Sequence, residues 1–474
     1  MSDFKRSLGL LDATLLAAGS MVGSGIFIVS ADITRNVGSA GGLILVWVLT
    51  GVMMISAALS YGELSAMYPR AGGLYIYLRE AFGELFAFLY GWTLFVVIQT
   101  GTIAAIGVAF GKFAAYIFPF LGEKNYLIGS AESAFKVSAA QLNSIVMIVF
   151  LTYINTRGVQ TGRIVQLIFT LAKGAGLILL ILCGAFLVRE SSFWDANWSD
   201  AFNFQKLQMN NGLVEKTPIT GWWGIMSAVA IASVGSVFSS FGWDNITFVA
   251  GEIKNPKRNI GLSLFLGASI VISIYILANL VYLRVLPIEG IAFAEADRVG
   301  VEATKGIFGE NFGVTLIAII VMISTFGCNN GFILTSARVF YTMAQDKLFF
   351  KAAGELNAAG VPAKALWYQC AWCCVLCLSG RYGDLLDYVI FAVLLFYALA
   401  ILAVFQLRRK YPDAERPYKA IGYPVIPILY LVLTLCICIP LLIYKPNYTW
   451  PGLGLVLLGV PVYYFLMKKE NANQ

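Results

Sequence analysis

Long apolar runs recur along the whole chain, and short polar segments separate them. Many of these runs hold at least about 18 residues, which is enough for an α-helix to cross a bilayer. Alternating segments of about ten residues, typical of membrane β-barrels, are absent from the pattern. The pattern therefore predicts an all-α polytopic membrane protein with twelve transmembrane helices. The predicted spans, in chain order, are residues 9–34, 42–67, 84–116, 139–156, 160–188, 222–250, 260–286, 312–343, 363–380, 384–407, 421–444 and 451–467.

Two of these runs are interrupted by small and polar residues. The first span contains GSMVGSG at residues 19–25, and the sixth contains SSFGWDN at residues 239–245. Four further spans follow each interrupted span, so each interrupted span begins a half of five spans. Because five is an odd number, the second half must cross the membrane in the opposite orientation to the first. Paired broken helices of this kind indicate an inverted-repeat transporter with its site at the breaks. The predicted units are a first inverted repeat (1–190), a second repeat with an outer loop (191–410), and two last spans with a cytoplasmic tail (411–474).

Composition and charge agree with a membrane protein. The chain is 59% hydrophobic and 12% charged, which is about half the charged fraction of a soluble protein. If the N-terminus is cytoplasmic, most of the 33 lysines and arginines fall in inner segments, which predicts that both termini are cytoplasmic. The net charge of +7 then reflects topology, and no nucleic-acid partner is expected. The chain has no histidine, which removes the usual proton shuttle and the commonest transition-metal ligand.

The two interruptions are suited to binding a zwitterion. Backbone groups in hydrocarbon must be hydrogen-bonded, so an unwound segment persists only where it lines a cavity or binds a ligand. A break leaves amides at the positive end of the second half-helix, which suits a carboxylate. It also leaves carbonyl oxygens at the end of the first half-helix, which suit an ammonium group. The pattern favours a site for an α-amino acid, and for GSMVGSG taken alone the alternative is close helix packing by small residues.

Three stretches carry a specific resemblance to a known family. They are GSMVGSGIF at 19–27, YGELSAMYPRAGGLYIYLREAFG at 61–83 and GWDNITFVAGEIKNPKRNI at 242–260. Together they resemble the amino acid–polyamine–organocation (APC) superfamily, and within it the L-type amino acid transporter (LAT) branch and its bacterial relatives. The resemblance covers nearly the whole chain and implies the LeuT/APC-type fold, a 5+5 inverted repeat in which helices 1 and 6 are broken at mid-membrane.

The resemblance also implies a substrate site between the two breaks. In that family, backbone amides of the first break hold the carboxylate, which here implies Ser24 and Gly25 with Gly23 nearby. Carbonyl oxygens of both breaks hold the ammonium group. An aromatic residue closes over the substrate and falls on Phe238, for which a packing or lipid-facing role is the alternative. The implied substrate-binding positions are Met21, Gly23, Ser24, Gly25, Phe238, Ser239 and Phe241.

A lysine lies near the middle of the fifth predicted span. Lys173 in FTLAKGAGLILL is costly there unless it finds partners, which makes it a functional candidate. Snorkelling to a membrane surface is the alternative. In the resembling family a lysine of the fifth span takes the place of sodium, and the pairing positions on the eighth span are Ser324 and Thr325. The resemblance therefore implies sodium-independent transport.

Other charged residues are candidates for an inner gate. Glu63 and Asp244 lie beside the predicted cytoplasmic halves of their spans, and with Phe238 they are the gate candidates. Glu252 is close in sequence to several cations and predicts a cytoplasmic charge cluster, for which a solvated interfacial cluster is the alternative. The cations of that predicted cluster are Lys254, Lys257 and Arg258.

These observations predict a transporter of neutral L-amino acids that works by exchange or uniport. No ionised group other than Asp244 lies near the breaks. Phe241 is bulky where relatives with large substrates tend to have small residues, so the resemblance implies small substrates such as Ala, Ser, Cys or Thr. The alternative is a proton-coupled or cationic amino acid or polyamine transporter. An enzyme is not expected, because the sequence shows no nucleophile with a base and no cluster of metal ligands. CxxCCxxC at 370–377 is interpreted as membrane packing, with a metal site as the alternative, so neither cofactor nor metal is predicted.

The resemblance bears on partners and location as well. Animal LAT members join a heavy chain through a cysteine in the loop after the third span. Here that loop, residues 117–138, contains no cysteine, so we expect no disulfide-linked heavy chain. The expected partners are the amino acid substrate and membrane lipid, and the expected location is a bacterial inner (plasma) membrane.

Overall fold

The computed structural model describes residue 4 and residues 6–130, 133, 136–188, 193–379 and 382–471. Its helices are α1 (Leu10–Met21), α2 (Val29–Val37), α3 (Ala40–Met67), α4 (Leu74–Phe82), α5 (Glu84–Thr93), α6 (Gln99–Ala114), α7 (Ala139–Thr156), α8 (Val159–Phe186), α9 (Phe193–Ser199), α10 (Gly221–Ser239), α11 (Asn245–Phe248), α12 (Pro256–Val285), α13 (Ile288–Ala292), α14 (Val299–Phe308), α15 (Glu310–Gln345), α16 (Ala363–Leu378), α17 (Tyr382–Lys410), α18 (Val425–Tyr444) and α19 (Pro446–Asn471). The strands are β1 (Tyr126–Ile128), β2 (Val137–Ser138), β3 (Gln205–Asn210) and β4 (Leu213–Pro218).

Within the described residues, 10 helices are long and apolar enough to cross a membrane. They correspond to all the predicted spans except the first and the ninth. The first span is divided between α1 and α2, and the ninth is α16, which is apolar but has only 16 residues. The predominantly helical, polytopic architecture agrees with the sequence pattern, whereas the count of twelve spans stays a prediction.

An α-helix ends within each of the two predicted interruptions. In the first, α1 ends at Met21, a single 3-10 turn covers Gly25–Phe27, and α2 begins at Val29. In the second, α10 ends at Ser239 and α11 begins at Asn245. Gly242, between them, has a φ of +91°, a conformation that a residue with a Cβ adopts only with strain.

The two breaks lie against each other inside the bundle. Helix α1 packs against α8, α12 and α15, while α2 packs against α10. A Cβ built on Gly25 would overlap the Ser239 hydroxyl and lie 3.0 Å from Ser239 Cα. The backbones of the two breaks can therefore approach this closely only because residue 25 is glycine.

The all-α prediction was wrong for two loops. Strands β1 and β2 pair antiparallel, and so do β3 and β4, with Gln205 opposite Pro218 and Asn210 opposite Leu213. The turn between β3 and β4 places Asn211 at φ +49° and Gly212 at φ +80°, as a two-residue hairpin turn requires. Alternating side chains around Asn-Gly were the signal, and a search for long apolar runs does not detect it.

The connections between helices divide between two sides of the bundle. The loop side carries residues 115–125, the β3–β4 hairpin and α13, and an ion pair of 2.6 Å joins Lys216 of the hairpin to Glu289. The opposite side carries the beginning of the described chain, where the amides of Ser7 and Leu8 donate to the carbonyl of Glu252. We call it the N-terminal side.

Candidate functional site

The first break presents backbone donors to a cavity. The amides of Gly23, Ser24 and Gly25 have no hydrogen-bond acceptor among the described residues. Ser24 and Gly25 line a cavity of about 290 Å³ that opens toward the loop side. This volume is near the lower end of the range for small-molecule sites. Free amides at the start of a helical segment are suited to a carboxylate.

The wall of this cavity is apolar at depth and charged at its mouth. The apolar lining comes from the first break, α2, α6 and the end of α10, as Ile28, Val29, Ala105, Ile106, Ala109, Phe113 and Phe238. At the mouth, Glu123 pairs with Lys112 at 2.8 Å and lies 3.8 Å from Arg298. Asp297 of the same rim pairs with Arg35 at 2.5 Å. Charges are therefore confined to the rim, and the deep part of the cavity is suited to an uncharged side chain.

Lys173 braces the first break from the side of α8. Its side chain is 1% exposed, and its ammonium group donates to the carbonyls of Gly19 and, at 2.8 Å, Val22. The Ser324 hydroxyl donates to the same Val22 carbonyl at 3.1 Å and to Gly23 at 3.0 Å.

The structure thus brings Lys173 and Ser324 together on one carbonyl group. Thr325 does not join them, because its hydroxyl donates back to Val321 of its own helix at 2.7 Å. The predicted pairing of Thr325 with Lys173 is not found, because adjacent residues of a helix point in different directions and only Ser324 faces α1.

Two residues that the sequence did not single out also hold the breaks. The Tyr275 hydroxyl on α12 lies 3.1 Å from the Met21 carbonyl and 3.2 Å from the Ser239 carbonyl, so it bridges the two breaks. The Cys328 thiol on α15 donates to the Ser20 carbonyl at 2.9 Å. The only sequence signal was a hydroxyl or thiol inside an apolar run, which does not reveal the carbonyl that it faces.

Of the predicted substrate-binding residues at the second break, only Phe238 lines the cavity. The carbonyl of Phe238 accepts from the amide of Phe241 at 3.0 Å. The Phe241 side chain is 6% exposed and packs against Phe332 and Tyr397, at ring-centroid distances of 5.5 and 6.4 Å. Phe241 is not among the residues that line the cavity, and Ser239 lies against Gly25.

Glu63 lies at the centre of an ion-pair network on the N-terminal side. Its carboxylate is 1% exposed and accepts two hydrogen bonds from Arg408, at 2.8 and 2.6 Å. Arg416 lies 3.3 Å away, and the amide of Ala420 donates at 2.7 Å. Glu63 therefore fastens α3 to the end of α17 and to the segment between α17 and α18.

The other inner-gate candidates contact different residues from those of the predicted charge cluster, and their part in a gate stays a prediction. Asp244 accepts a hydrogen bond of 2.6 Å from Tyr397, and no described lysine or arginine pairs with it. Glu252 pairs with Arg338 at 2.9 Å, both side chains being buried. The 3-10 turn at Ala250–Glu252 directs Glu252 toward α15, away from the start of α12.

The cations that follow Glu252 in the sequence therefore do not form ion pairs with it. Lys257 pairs with Glu415 at 3.3 Å, and no described carboxylate pairs with Lys254 or Arg258.

The cysteine motif CxxCCxxC lies on α16, and three of its cysteines, Cys370, Cys373 and Cys377, are buried. Among the described residues no group of three or more His, Cys, Asp or Glu could hold a metal ion.

Comparison with known proteins gives one consistent result. The amino acid permease family model matches residues 8–463. The large neutral amino acids transporter small subunit 2 of Rattus norvegicus is 30% identical over 466 residues, which cover 97% of this chain and 80% of that protein. The serine/threonine exchanger SteT of Bacillus subtilis (strain 168) is 28% identical over 472 residues, covering 99% and 98%. The b(0,+)-type amino acid transporter 1 of Mus musculus is 26% identical over 472 residues, covering 98% and 88%.

The family match begins before the first broken helix and continues into α19, so it includes both breaks and the cavity between them. The relatives named above are amino acid transporters and exchangers by name, and none is an enzyme. This chain therefore belongs to the amino acid permease family of membrane transporters, on the LAT branch of the APC superfamily with its bacterial relatives.

Proposed function

We propose that this chain is a sodium-independent secondary transporter of neutral L-amino acids, most of them small, that works by exchange or uniport with alternating access. The observation that carries the proposal is the cavity. It ends at the unpaired amides of Ser24 and Gly25, and its deep wall is apolar. A zwitterion needs donors for its carboxylate, and a neutral side chain needs no counter-charge.

In this proposal the carboxylate binds the amides of Ser24 and Gly25, with Gly23 and the Ser24 hydroxyl close by. The ammonium group binds carbonyl oxygens at the two breaks, those of Met21, Phe238 and Phe241. Phe238 lies on the cavity wall and closes over the substrate, while the ring of Phe241, packed beside Phe332 and Tyr397, limits the space available to a larger side chain. A cationic substrate is less well supported, because the carboxylates of the cavity, Glu123 and Asp297, are at its rim.

Sodium independence rests on Lys173. Its ammonium group occupies the space between the carbonyls of Gly19 and Val22, where a metal cation would otherwise find oxygen ligands. A second positive charge at this distance would be strongly repelled in a medium of low dielectric constant. Lys173 therefore stabilises the unwound turn without a sodium ion.

The proposed architecture is a 5+5 inverted repeat with twelve spans. Units 1–190 and 191–410 form the two repeats, and 411–474 supplies the last two spans. We place the N-terminal side in the cytoplasm of a bacterial cell, with the protein in the inner membrane. No disulfide-linked heavy chain is proposed, because the 117–138 loop contains no cysteine.

The test is transport by the purified full chain in proteoliposomes. Vesicles are loaded in turn with each of the twenty amino acids, and uptake of labelled L-alanine and L-serine is measured in sodium or choline buffer. We expect small neutral amino acids inside the vesicles to accelerate uptake equally in both buffers. Stimulation by lysine or arginine alone would contradict the proposed substrate class, and dependence on a sodium gradient would contradict the role of Lys173.

A further inference from the structure

A carboxyl group is buried in the second break without a counter-charge. Asp244 is 1% exposed, and among the described residues the only side chain that donates a hydrogen bond to its carboxylate is Tyr397, at 2.6 Å. No described lysine or arginine lies within ion-pair distance of it, and it has no part in the substrate site proposed above. An ionised carboxylate buried in this way costs several kcal/mol unless it is paired.

The groups that face Asp244 from the neighbouring helices are uncharged. Tyrosines of five helices lie close enough to interact electrostatically with its carboxylate. Phenol groups are neutral near pH 7, so the whole shell supplies dipoles and no compensating charge. These tyrosines are Tyr61 (α3), Tyr77 (α4), Tyr90 (α5), Tyr397 (α17) and Tyr430 (α18).

The shell is packed too closely for a metal or ammonium ion to be its natural occupant. The rings of Tyr61, Trp243 and Tyr397 meet edge to face, with centroid distances of 4.8, 5.5 and 6.2 Å. These are distances of direct aromatic contact, and all three side chains are buried. A proton neutralises the carboxylate and requires no such space.

We propose that Asp244 binds a proton in this conformation, which is open to the loop side, and that releasing it on the N-terminal side couples amino acid entry to proton entry. In the step, the O–H bond of the carboxyl group breaks and the proton passes to water on the N-terminal side. The carboxylate that remains takes up a proton from the loop side when the cavity opens there again. The inference rests on the proposed transport function and replaces uniport with proton-coupled uptake as its net mode, while exchange of one amino acid for another continues without net proton movement.

Two serine hydroxyl groups lie in the break between Phe238, which lines the cavity, and Asp244. The side-chain oxygens of Ser239 and Ser240 are buried and have no hydrogen-bond partner among the described residues. Ser239 lies against Gly25, which lines the cavity. Both hydroxyls lie between the cavity and Asp244 in the chain, and each can accept and donate a proton.

The test measures the number of protons that enter with each amino acid. Proteoliposomes contain the full chain and an entrapped pH dye, and labelled L-alanine or L-serine is added outside. We expect about one proton per amino acid, and an inward gradient of one pH unit should support up to about tenfold accumulation. In Asp244→Asn, which keeps the shape and the contact with Tyr397, the ratio should fall at least tenfold. Asp413→Asn, which removes an exposed carboxylate of the N-terminal side, should keep the wild-type ratio.

The outcomes separate this inference from the proposed function. If wild-type protein exchanges labelled for unlabelled amino acid at equal pH but moves no protons, the inference is overturned and the transport function stands. If it exchanges no amino acid, the proposed function itself fails. A ratio in Asp244→Asn equal to that of the wild type would assign the proton to another group.

A second variant decides the matter if Asp244→Asn does not transport. Tyr397→Phe removes the side-chain hydrogen bond that stabilises the ionised carboxylate, so the carboxyl group should keep its proton to higher pH. We expect the pH at which proton-coupled uptake falls by half to rise by about one unit or more. An unchanged pH profile would overturn the inference.

Discussion

At the scale of single residues, Gly25 sets how closely the two breaks approach. In Gly25→Ala the new methyl group would overlap the Ser239 hydroxyl and lie 2.8 Å from Ser239 Cβ. The breaks must then separate, so we expect amino acid uptake to fall at least tenfold while the protein still folds. Uptake in proteoliposomes and thermal unfolding in detergent measure the two effects.

Gly174→Ala is the matched control for that substitution. Gly174 lies in the middle of α8, and a Cβ built there meets nothing within 4 Å. Alanine is favoured over glycine in a helix by roughly 1 kcal/mol, so this variant should transport normally and unfold at the same or a higher temperature. Equal losses of uptake in both variants would show that any added methyl group is harmful, and would remove the special role of Gly25.

Phe241 provides a residue-scale test of substrate size. Its ring fills space beside Phe332 and Tyr397, so Phe241→Gly should open that space and admit leucine or phenylalanine, measured as uptake relative to alanine. Truncation of a buried phenylalanine also costs about 3–5 kcal/mol of stability. Phe88→Gly, at a buried position beside Trp92, controls for that loss and should leave the substrate profile unchanged. An unaltered profile in Phe241→Gly would remove Phe241 as a size limit.

The sequence predicts some site residues better than others for a physical reason. GSMVGSG is a local signal, because small residues inside an apolar run weaken a helix at that point. Lys173 is also visible, since a charge in hydrocarbon stands out against its neighbours. The pairing of Glu252 with Arg338 joins positions 86 residues apart, and nothing near either residue reveals it. The bridge made by Tyr275 depends in the same way on how α12 packs against both breaks.

At the scale of elements, the spanning helices could be predicted because a bilayer imposes a minimum length on an apolar run. That constraint says little about segments outside the bilayer, so the hairpin of β3 and β4 was missed. The ninth predicted span is also a helix, α16, but its 16 residues fall short of that minimum length. The position of each break could be predicted, but the orientation of the residues in it could not, as Phe241 shows by facing Phe332 and Tyr397 instead of the cavity.

At the scale of the whole molecule, the structure is open on one side of the substrate site and closed on the other. The cavity reaches Ser24 and Gly25 from the loop side. The N-terminal side is closed by ion pairs, including those that Glu63 and Glu252 form. Two arrangements that exchange by alternating access differ by only a few kcal/mol, so the balance between them depends on such contacts and cannot be inferred from hydropathy.

Glu63 gives a direct test of this balance. Glu63→Gln weakens the hydrogen bonds from Arg408 and removes the charge that Arg416 faces, which should destabilise the closed N-terminal side by more than 1 kcal/mol. A shift of 1.4 kcal/mol changes the ratio of the two states tenfold, so fewer molecules should be open to the loop side. Ala109→Cys places a thiol in the cavity wall.

The measurement is the rate at which this thiol reacts with a membrane-impermeant reagent added on the loop side. We expect that rate to fall several-fold when Glu63→Gln is added. Glu355→Gln, which breaks an exposed pair with Lys364, should have no effect because exposed ion pairs contribute little. If Ala109→Cys were labelled at the same rate with and without Glu63→Gln, the Glu63 network would take no part in opening. It would then hold α3 to α17 and the segment after it in every state.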